Sequence, residues 1–294
     1  METAKSQKVC AIFDMPNTNP PIISKELVEK RIDRAREQGC LDGYYLYIGI
    51  TSDHEQIKEA IEVVETSPRV IGIKMFAAQS VGDLSITTEK AQSLVYRELA
   101  QEHYDGVLAV HCEKESLFQM DLWNPNNPQT WNLARPPEAE VESVKDQIRF
   151  AKESRFEGVL HICHVSTNKA VEVVRGETEL NITCGVTPHH LSYSTEDMGT
   201  STGLFYKVNP PLRDYSIVKL LKNCLKKGQI DWIETDNAPH TQSEKLYPPY
   251  LSGIESLREY STFLSNLLLD GVTEEQILNL TFKNIKKIFK KVVQ

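Results

Sequence analysis

The chain lacks the sequence features of several large protein classes. Its 294 residues carry 33 Lys and Arg against 41 Asp and Glu, so it has no excess of basic residues for nucleic-acid binding. No apolar run approaches the ~18 residues of a membrane span, and residues 1–8 contain no apolar core of a signal peptide. We therefore expect a cytoplasmic protein that binds neither nucleic acid nor membranes.

The sequence also lacks C-x-x-C pairs and Gly-rich phosphate-binding loops. The six scattered cysteines are predicted to be free, mostly buried thiols rather than disulfides. Neither G-x-G-x-x-G nor G-x-x-x-x-G-K follows any apolar run, so a nucleotide-binding doubly wound sheet is disfavoured. The Lys-rich residues 283–291 place Ile285, Ile288 and Phe289 at helical spacing, which is typical of a solvated amphipathic tail.

Short apolar runs alternate with amphipathic helical stretches along the chain. Such alternation without hairpin signals predicts a parallel sheet with crossover helices, and polar residues at the carboxyl ends of the strands favour a (β/α)8 barrel. We expect residues 1–294 to form one such domain. The predicted strands are residues 8–13, 44–50, 70–76, 106–112, 158–165, 181–186 and 231–235. These are about seven strands, whereas a closed barrel of this type has eight.

Polar residues stand at the ends of four of these strands: Lys74, His111, His164 and Asp236. Because the carboxyl ends of barrel strands meet at one rim, we expect the four side chains to converge. Two imidazoles and a carboxylate suit a borderline ion such as zinc. The Lys74 ammonium cannot ligate a metal, so it either forms a salt bridge or carries a carbamate that serves as an anionic bridging ligand.

The alternation of side chains predicts which residues point inward. Residues 106–112 place His111 on one face with Val107 and Ala109, and residues 70–76 place Lys74 with Val70 and Gly72. In residues 158–165 the same rule places His164 inward with Leu160 and Ile162. It predicts that His161 and Cys163 face outward, toward the helices.

A series of motifs covers nearly the whole chain: DMPNTNPP, GIKMF, AVHCE, WNLARPPEAEVESV, HICHVS, TPHHL, KVNPPLR, ETDNAPHT and SGIE. In content and order this series resembles that of the dihydroorotases, of the cyclic amidohydrolase family. The resemblance implies a metal-dependent (β/α)8 barrel that interconverts dihydroorotate and N-carbamoyl-aspartate in pyrimidine biosynthesis. It also implies a possible homodimer or a complex with aspartate transcarbamoylase.

The resemblance further implies roles for individual residues. Lys74 resembles the carboxylated lysine that bridges two zinc ions, and His111 and His164 resemble ligands of one of them. Asp236 resembles the ligand of the other ion that also serves as general base. The positions that resemble substrate-binding residues are Asn17, Asn209 and His240.

Two departures from the family pattern matter. The family's first strand carries H-x-H-x-R, but no histidine precedes His54 here, so we expect a barrel without that strand. Glu234 is predicted to face inward below Asp236, where the family has a small residue. It either borders a water-filled gap or replaces a missing ligand. His189 and His190 either pack within their loop or form an extra metal site with Cys163.

Three hypotheses follow from the sequence. The chain belongs to an active dihydroorotase whose real N-terminus lies upstream, or it is an inactive homologue that serves as a scaffold or partner subunit. The third hypothesis is a related hydrolase that acts on hydantoin or allantoin.

Overall fold

Seven parallel strands form the centre of the fold. The computed structural model describes residues 1–80, 84–199 and 202–292. Neighbours along the chain are neighbours in the sheet, in the order β1 to β7. The strands are β1 (Ile12–Asp14), β2 (Tyr44–Gly49), β3 (Val70–Phe76), β4 (Val107–His111), β5 (Val159–Ile162), β6 (Ile182–Val186) and β7 (Trp232–Ile233). The predicted α/β fold and its seven strands are confirmed.

Helices connect successive strands. The helices are α1 (Glu2–Ser6), α2 (Lys25–Glu37), α3 (His54–Thr66), α4 (Glu89–Gln101), α5 (Thr130–Ala134), α6 (Pro137–Ser154), α7 (Asn168–Gly176), α8 (Pro188–Ser192), α9 (Tyr215–Lys226), α10 (Gln242–Leu246), α11 (Tyr260–Leu269), α12 (Glu274–Leu278) and α13 (Asn284–Ile288), with a π-helical turn at Asn279–Lys283. Ser24 caps α2 by accepting a hydrogen bond from the Leu27 amide. Asp53, Thr88 and Thr167 cap α3, α4 and α7 in the same way. No helix of the described residues is both long and apolar enough to cross a membrane.

The strands separate two apolar cores. The larger core lies between the sheet and the surrounding helices and includes Leu108, Leu160 and Ile162. The smaller core covers the inner face of the sheet: Tyr47, Ile71, Val107, Ala109, Val159, Cys163, Trp232, Phe289 and Val292. All six cysteines are free thiols, as predicted, and four of them are buried.

Residues between 285 and 292 occupy the inside of the curled sheet. The Phe289 ring lies 5.0 Å from that of Phe13 in β1 and 5.7 Å from that of Trp232 in β7. These strands are at opposite ends of the sheet order, so the sheet must curl around Phe289. Among the described residues no strand pairing joins β1 to β7. Phe289 and Val292 instead cover the part of the inner face that lies between β1 and β7.

This arrangement corrects the predicted solvated tail. Helix α13 exists, but Phe289 is only 3% exposed, and Ile285 and Ile288 pack against the same inner core. The Lys291 ammonium donates hydrogen bonds to the carbonyl oxygens of Ser67 and Val70, 3.0 and 3.1 Å away. The apolar residues are buried because the inner face between the end strands would otherwise contact water.

Candidate metal centre

His111 and His164 lie side by side at the rim. Nδ1 of His111 is 3.1 Å from Nε2 of His164, and both side chains are buried. Burial lowers the pKa of both imidazoles below the ordinary histidine value, so both rings are neutral at neutral pH. The second nitrogen of His164, Nδ1, is buried without a partner among the described residues. A neutral pair with adjacent ring nitrogens is the donor arrangement that a metal ion requires.

Glu113 fixes the orientation of His111. Its Oε2 lies 3.1 Å from Nε2 of His111, and its other oxygen accepts a hydrogen bond of 3.1 Å from Nε of Arg135. A second Arg135 nitrogen also donates to Glu113. Although burial opposes ionisation, Arg135 and His111 together lower the pKa of Glu113 to about 2. The carboxylate therefore accepts the Nε2–H of His111, which leaves Nδ1 as the lone-pair nitrogen facing His164.

Lys74 is buried beside this pair. Its Nζ donates a hydrogen bond of 3.1 Å to Sγ of Cys163 and lies 4.8 Å from the centre of the Phe76 ring. The Lys74 charge contributes to lowering the pKa of His111 and of His164. No salt bridge of Lys74 to a carboxylate occurs among the described residues. The simple salt-bridge interpretation is therefore not supported by the structure.

Asp236 stands at the end of β7, on the loop that follows. Its backbone adopts a left-handed conformation, with φ of 43°. Burial and the neighbouring Glu234 charge together raise the pKa of Asp236 to about 6, and the Lys74 charge opposes the increase. The four predicted residues thus gather at one end of the sheet. Asp236 does not, however, form a three-donor group with His111 and His164 within 4.8 Å among the described residues.

The prediction for the inward face of β5 was wrong. His161 and Cys163 point inward, where His161 stacks on Trp232 with ring centres 4.3 Å apart. Leu160 and Ile162 point outward into the larger core. Strand β5 ends at Ile162, so its alternation does not extend to His164. His164 also reaches the inner rim because its φ of 39° leaves the strand conformation.

Glu234 is inward-facing, as predicted, and is held by two groups. Its Oε2 lies 3.1 Å from Nε2 of His161, and its Oε1 accepts a hydrogen bond from the His164 amide. Burial opposes protonation of His161, but Glu234, with a contribution from Cys163, raises its pKa to about 9. The side chain is 21% exposed. Glu234 therefore forms an ion pair with His161 rather than bordering a gap without partners.

Asn209 lies on a loop anchored by tryptophan. Nε1 of Trp131 donates hydrogen bonds of 3.0 and 3.1 Å to the Val208 carbonyl and to Oδ1 of Asn209. The Lys207 ammonium lies 3.9 Å from the centre of a Trp131 ring and donates to Oγ of Ser252 at 2.8 Å. Trp131 thus anchors the loop that carries Asn209.

His240 lies on the neighbouring loop. Its Nε2 donates to the Ser252 carbonyl, 3.1 Å away, and burial lowers its pKa. Gly253, the residue after Ser252, donates its amide N–H to the Lys207 carbonyl at 2.9 Å. This hydrogen bond joins the two loops. Gly253 has φ of 154°, and a Cβ there would lie 2.5 Å from the Ala238 oxygen. Asn17 lies half-buried on the loop after β1, at the carboxyl end of that strand.

His189 and His190 support their own loop. Nδ1 of His190 contacts Oγ1 of Thr187 at 2.8 Å, and its Nε2 donates to the Pro210 carbonyl at 2.9 Å. Neither ring nitrogen of His189 has a partner among the described residues, although the side chain is buried. The contacts of His190 agree with the packing interpretation. Cys163 lies instead with His161 and Glu234.

Motif residues that carry no predicted chemistry build a buried polar network. Glu140 accepts hydrogen bonds from the amide and hydroxyl of Ser166, at 2.6 and 2.9 Å, and from the Thr167 hydroxyl at 2.6 Å. Arg213 donates to the Ser166 hydroxyl at 2.9 Å and to the Arg135 carbonyl at 2.7 Å. The network ties the loop after His164 to Arg135, the partner of Glu113.

The donor set fits a metal ion in part. His111 and His164 offer two neutral nitrogens, one of them oriented by a carboxylate, and His164 retains an unpartnered buried nitrogen. Sequence reasoning did not identify Glu113 or Arg135, although both belong to motifs that it had singled out, AVHCE and WNLARPPE.

No protein-family model matches the chain. Dihydroorotase from Methanosarcina mazei is 32% identical over 266 residues, which cover 85% of this chain and 56% of that protein. The chain thus spans little more than half the length of this curated relative. L-hydantoinase from Arthrobacter aurescens superposes with a TM-score of 0.86 at 21% identity, covering 100% of this chain and 67% of that one. Dihydroorotase from Campylobacter jejuni superposes with a TM-score of 0.73 at 18% identity, covering 96% and 75%.

The likeness to the solved structures extends over all the described layers of the fold, and the sequence identity to curated relatives covers most of the chain. The motifs that supply the site residues lie in the same part of the chain as the strands that position them. By sequence the chain is a homologue of curated dihydroorotases over most of its length, and it shares the fold of solved hydantoinase and dihydroorotase chains.

Proposed function

We propose that this chain carries catalytic residues of a dihydroorotase. Such an enzyme interconverts dihydroorotate and N-carbamoyl-aspartate in pyrimidine biosynthesis. The observation that carries the proposal is the buried His111–His164 pair, with ring nitrogens 3.1 Å apart, in a chain 32% identical to a curated dihydroorotase. As proposed partners, a second copy of the chain or aspartate transcarbamoylase would assemble with it in the cytoplasm.

In this proposal His111, His164, Asp236 and a carboxylated Lys74 would hold zinc. When bound, zinc supplies Lewis-acid polarisation of the ring carbonyl and lowers the pKa of a nearby water. The neutral state of the two imidazoles, which burial favours, suits this role because only an unprotonated nitrogen can ligate. Glu113 would keep Nδ1 of His111 directed at the ion.

Asp236 would move the proton. As a carboxylate at the end of β7, it would accept a proton from the attacking water and deliver it to the departing amide nitrogen. The reverse reaction uses the same transfers in the opposite order. Asn17, Asn209 and His240 would bind the α-carboxylate and the ring edge of the substrate. Trp131 and Ser252 support this role because they fix the loops that present Asn209 and His240.

The test is turnover by the zinc-loaded chain, in both directions, with dihydroorotate and carbamoyl aspartate. Hydantoin, allantoin and dihydrouracil serve as alternative cyclic amides. Asp236→Asn should reduce kcat by ~10²- to 10⁴-fold, which is typical of the loss of a general acid–base group. Asp121→Asn, on an exposed 3₁₀ turn, is the matched control. A folded, zinc-loaded chain that turns over none of these substrates would refute the proposal and favour a scaffold role.

A further inference from the structure

Three donors of different chemical type meet on the inner face of the sheet, apart from the residues placed above in the catalytic site. Sγ of Cys163, a ring nitrogen of His161 and a carboxylate oxygen of Glu234 all lie within 4.8 Å of one another. His161 and Cys163 are buried, and Glu234 is partly exposed. We propose that these three residues form a second metal site, for a thiolate-binding divalent ion such as zinc, that functions independently of the His111–His164 pair.

The chemistry of the donors selects the ion. One thiolate, one imidazole and one carboxylate form a mixed S, N and O set, which suits zinc or cobalt and disfavours magnesium and calcium. Three protein ligands leave one of the four tetrahedral positions open. Bringing the donors from their present spacing to bonding distance of a single ion requires side-chain shifts of about one ångström.

The surroundings orient each donor toward a common point. Nδ1 of His161 contacts Oγ1 of Thr183 at 3.1 Å, so the other ring nitrogen, Nε2, faces Glu234. A metal-binding histidine usually forms such a hydrogen bond through the ring nitrogen that does not bind the metal. The ring is further held against Trp232, which limits its rotation. The site therefore has a fixed imidazole before any ion binds.

The fold also makes room for the Glu234 carboxylate. Gly185 pairs with Trp232 across β6 and β7, and a Cβ at position 185 would lie 2.6 Å from Cδ and Oε1 of Glu234. The absence of a side chain at Gly185 is thus required for the observed position of the carboxylate. The His164 amide then holds Oε1, which leaves Oε2 on the side of His161.

Lys74 contacts Cys163 when its amine is not carboxylated. Its Nζ then donates a hydrogen bond to Sγ at 3.1 Å, and the sulfur lies on the inner face beside His161 and Glu234. Metal binding would release the thiol proton of Cys163 and the proton shared by His161 and Glu234, so the protons are balanced by release to solvent. Without a metal ion, the same residues form the His161–Glu234 ion pair described above.

The experiment is a titration of the metal-free, full-length chain with Co²⁺, which gives a sulfur-to-cobalt charge-transfer band only when a thiolate is a ligand. We expect the band in the wild type and in the double variant His111→Ala, His164→Ala. Cys163→Ser should abolish it, whereas Cys112→Ser should retain it. Cys112 is the matched control because it is a neighbouring buried cysteine on the outer face. Glu234→Gln should weaken cobalt binding at least tenfold.

Absence of the band in the folded wild type at saturating Co²⁺ would overturn the proposal, as would a band that survives Cys163→Ser. Loss of the band in the His111, His164 double variant would also overturn it, because the thiolate would then belong to the rim site. If Cys163→Ser does not fold, the cobalt affinity of Glu234→Gln relative to the wild type decides whether the proposal holds. The outcome does not depend on turnover of dihydroorotate, so failure of the proposed function would be seen separately.

Discussion

Oε2 of Glu113 lies 3.1 Å from Nε2 of His111, and neither side chain contacts solvent. The pair is completed by Arg135, which lies across the carboxylate from the histidine. Glu113 thus connects the loop that carries Arg135 to His111, a predicted metal ligand. A carboxylate in this place selects the ring tautomer and restricts the ring's rotation.

Glu113→Gln tests this positioning role. The amide keeps the size of the side chain but removes the negative charge, so the Nε2–H of His111 loses its strongest acceptor. We expect zinc affinity to fall by ~10- to 100-fold, as is typical when a carboxylate behind a ligating histidine is lost. The measurement is competition for zinc with a chelator of known affinity. Glu153→Gln, on the exposed side of α6, is the control. Equal affinities of the two variants would contradict the role of Glu113.

The buried His190 makes the free energy of unfolding depend on pH. Burial lowers its pKa to about 4, Arg213 contributes in the same direction, and Glu113 and Glu234 oppose the effect. The neighbouring His189 is also kept neutral by burial. The ordinary value of 6.5 applies in the unfolded chain. Between pH 6.5 and 4 the unfolded state therefore binds a proton that the folded state does not, and the free energy of unfolding decreases as the pH falls.

His190→Gln should reduce this dependence. The loss of one differential proton lowers the slope by about 1.4 kcal/mol per pH unit in that interval. The measurement is urea unfolding at a series of pH values, with the exposed His103→Asn as control. His189 retains its own contribution, so the slope is reduced and not abolished. A slope identical in wild type and His190→Gln would show that His190 is protonated in the folded state.

The order of strands could be predicted from sequence because it depends on local signals. Each apolar run is followed by a helix, and caps such as Ser24 mark where helices begin. His111 was placed correctly because it lies inside β4, where alternation holds to the last residue. These features follow from the chain's own periodicity, with no knowledge of contacts distant in sequence.

The remainder depends on contacts that periodicity does not encode. His161 and His164 both reach the inner side although they are three residues apart, because the backbone leaves the strand conformation at His164. The position of Phe289 inside the sheet depends on strands β1 and β7, which are more than 200 residues apart in sequence. Glu113 was not identified because its role depends on Arg135, 22 residues later in the sequence.

Gly185→Ala tests whether space beside β6 determines the position of Glu234. The added Cβ would meet the carboxylate at 2.6 Å, a distance that real Cβ contacts do not show. We expect Glu234 to move away and the His161–Glu234 ion pair to weaken. Titration of His161 by NMR is the measurement, since loss of the ion pair should lower its pKa from about 9. Gly176→Ala is the control, because a Cβ there has no neighbour within 4 Å. An unchanged His161 titration would contradict this account.

Phe289 should contribute more to stability than its position near the C-terminus suggests. Its ring contacts Phe13, Tyr47 and Trp232, and it is 3% exposed. Phe289→Ala removes a buried aromatic ring and leaves a cavity between the two ends of the sheet, so the free energy of unfolding should fall by ~3–5 kcal/mol. Phe282→Ala, at a position 36% exposed, should cost much less. Urea unfolding of the two variants makes the comparison. If both lose the same small amount, Phe289 does not hold the ends of the sheet together in solution.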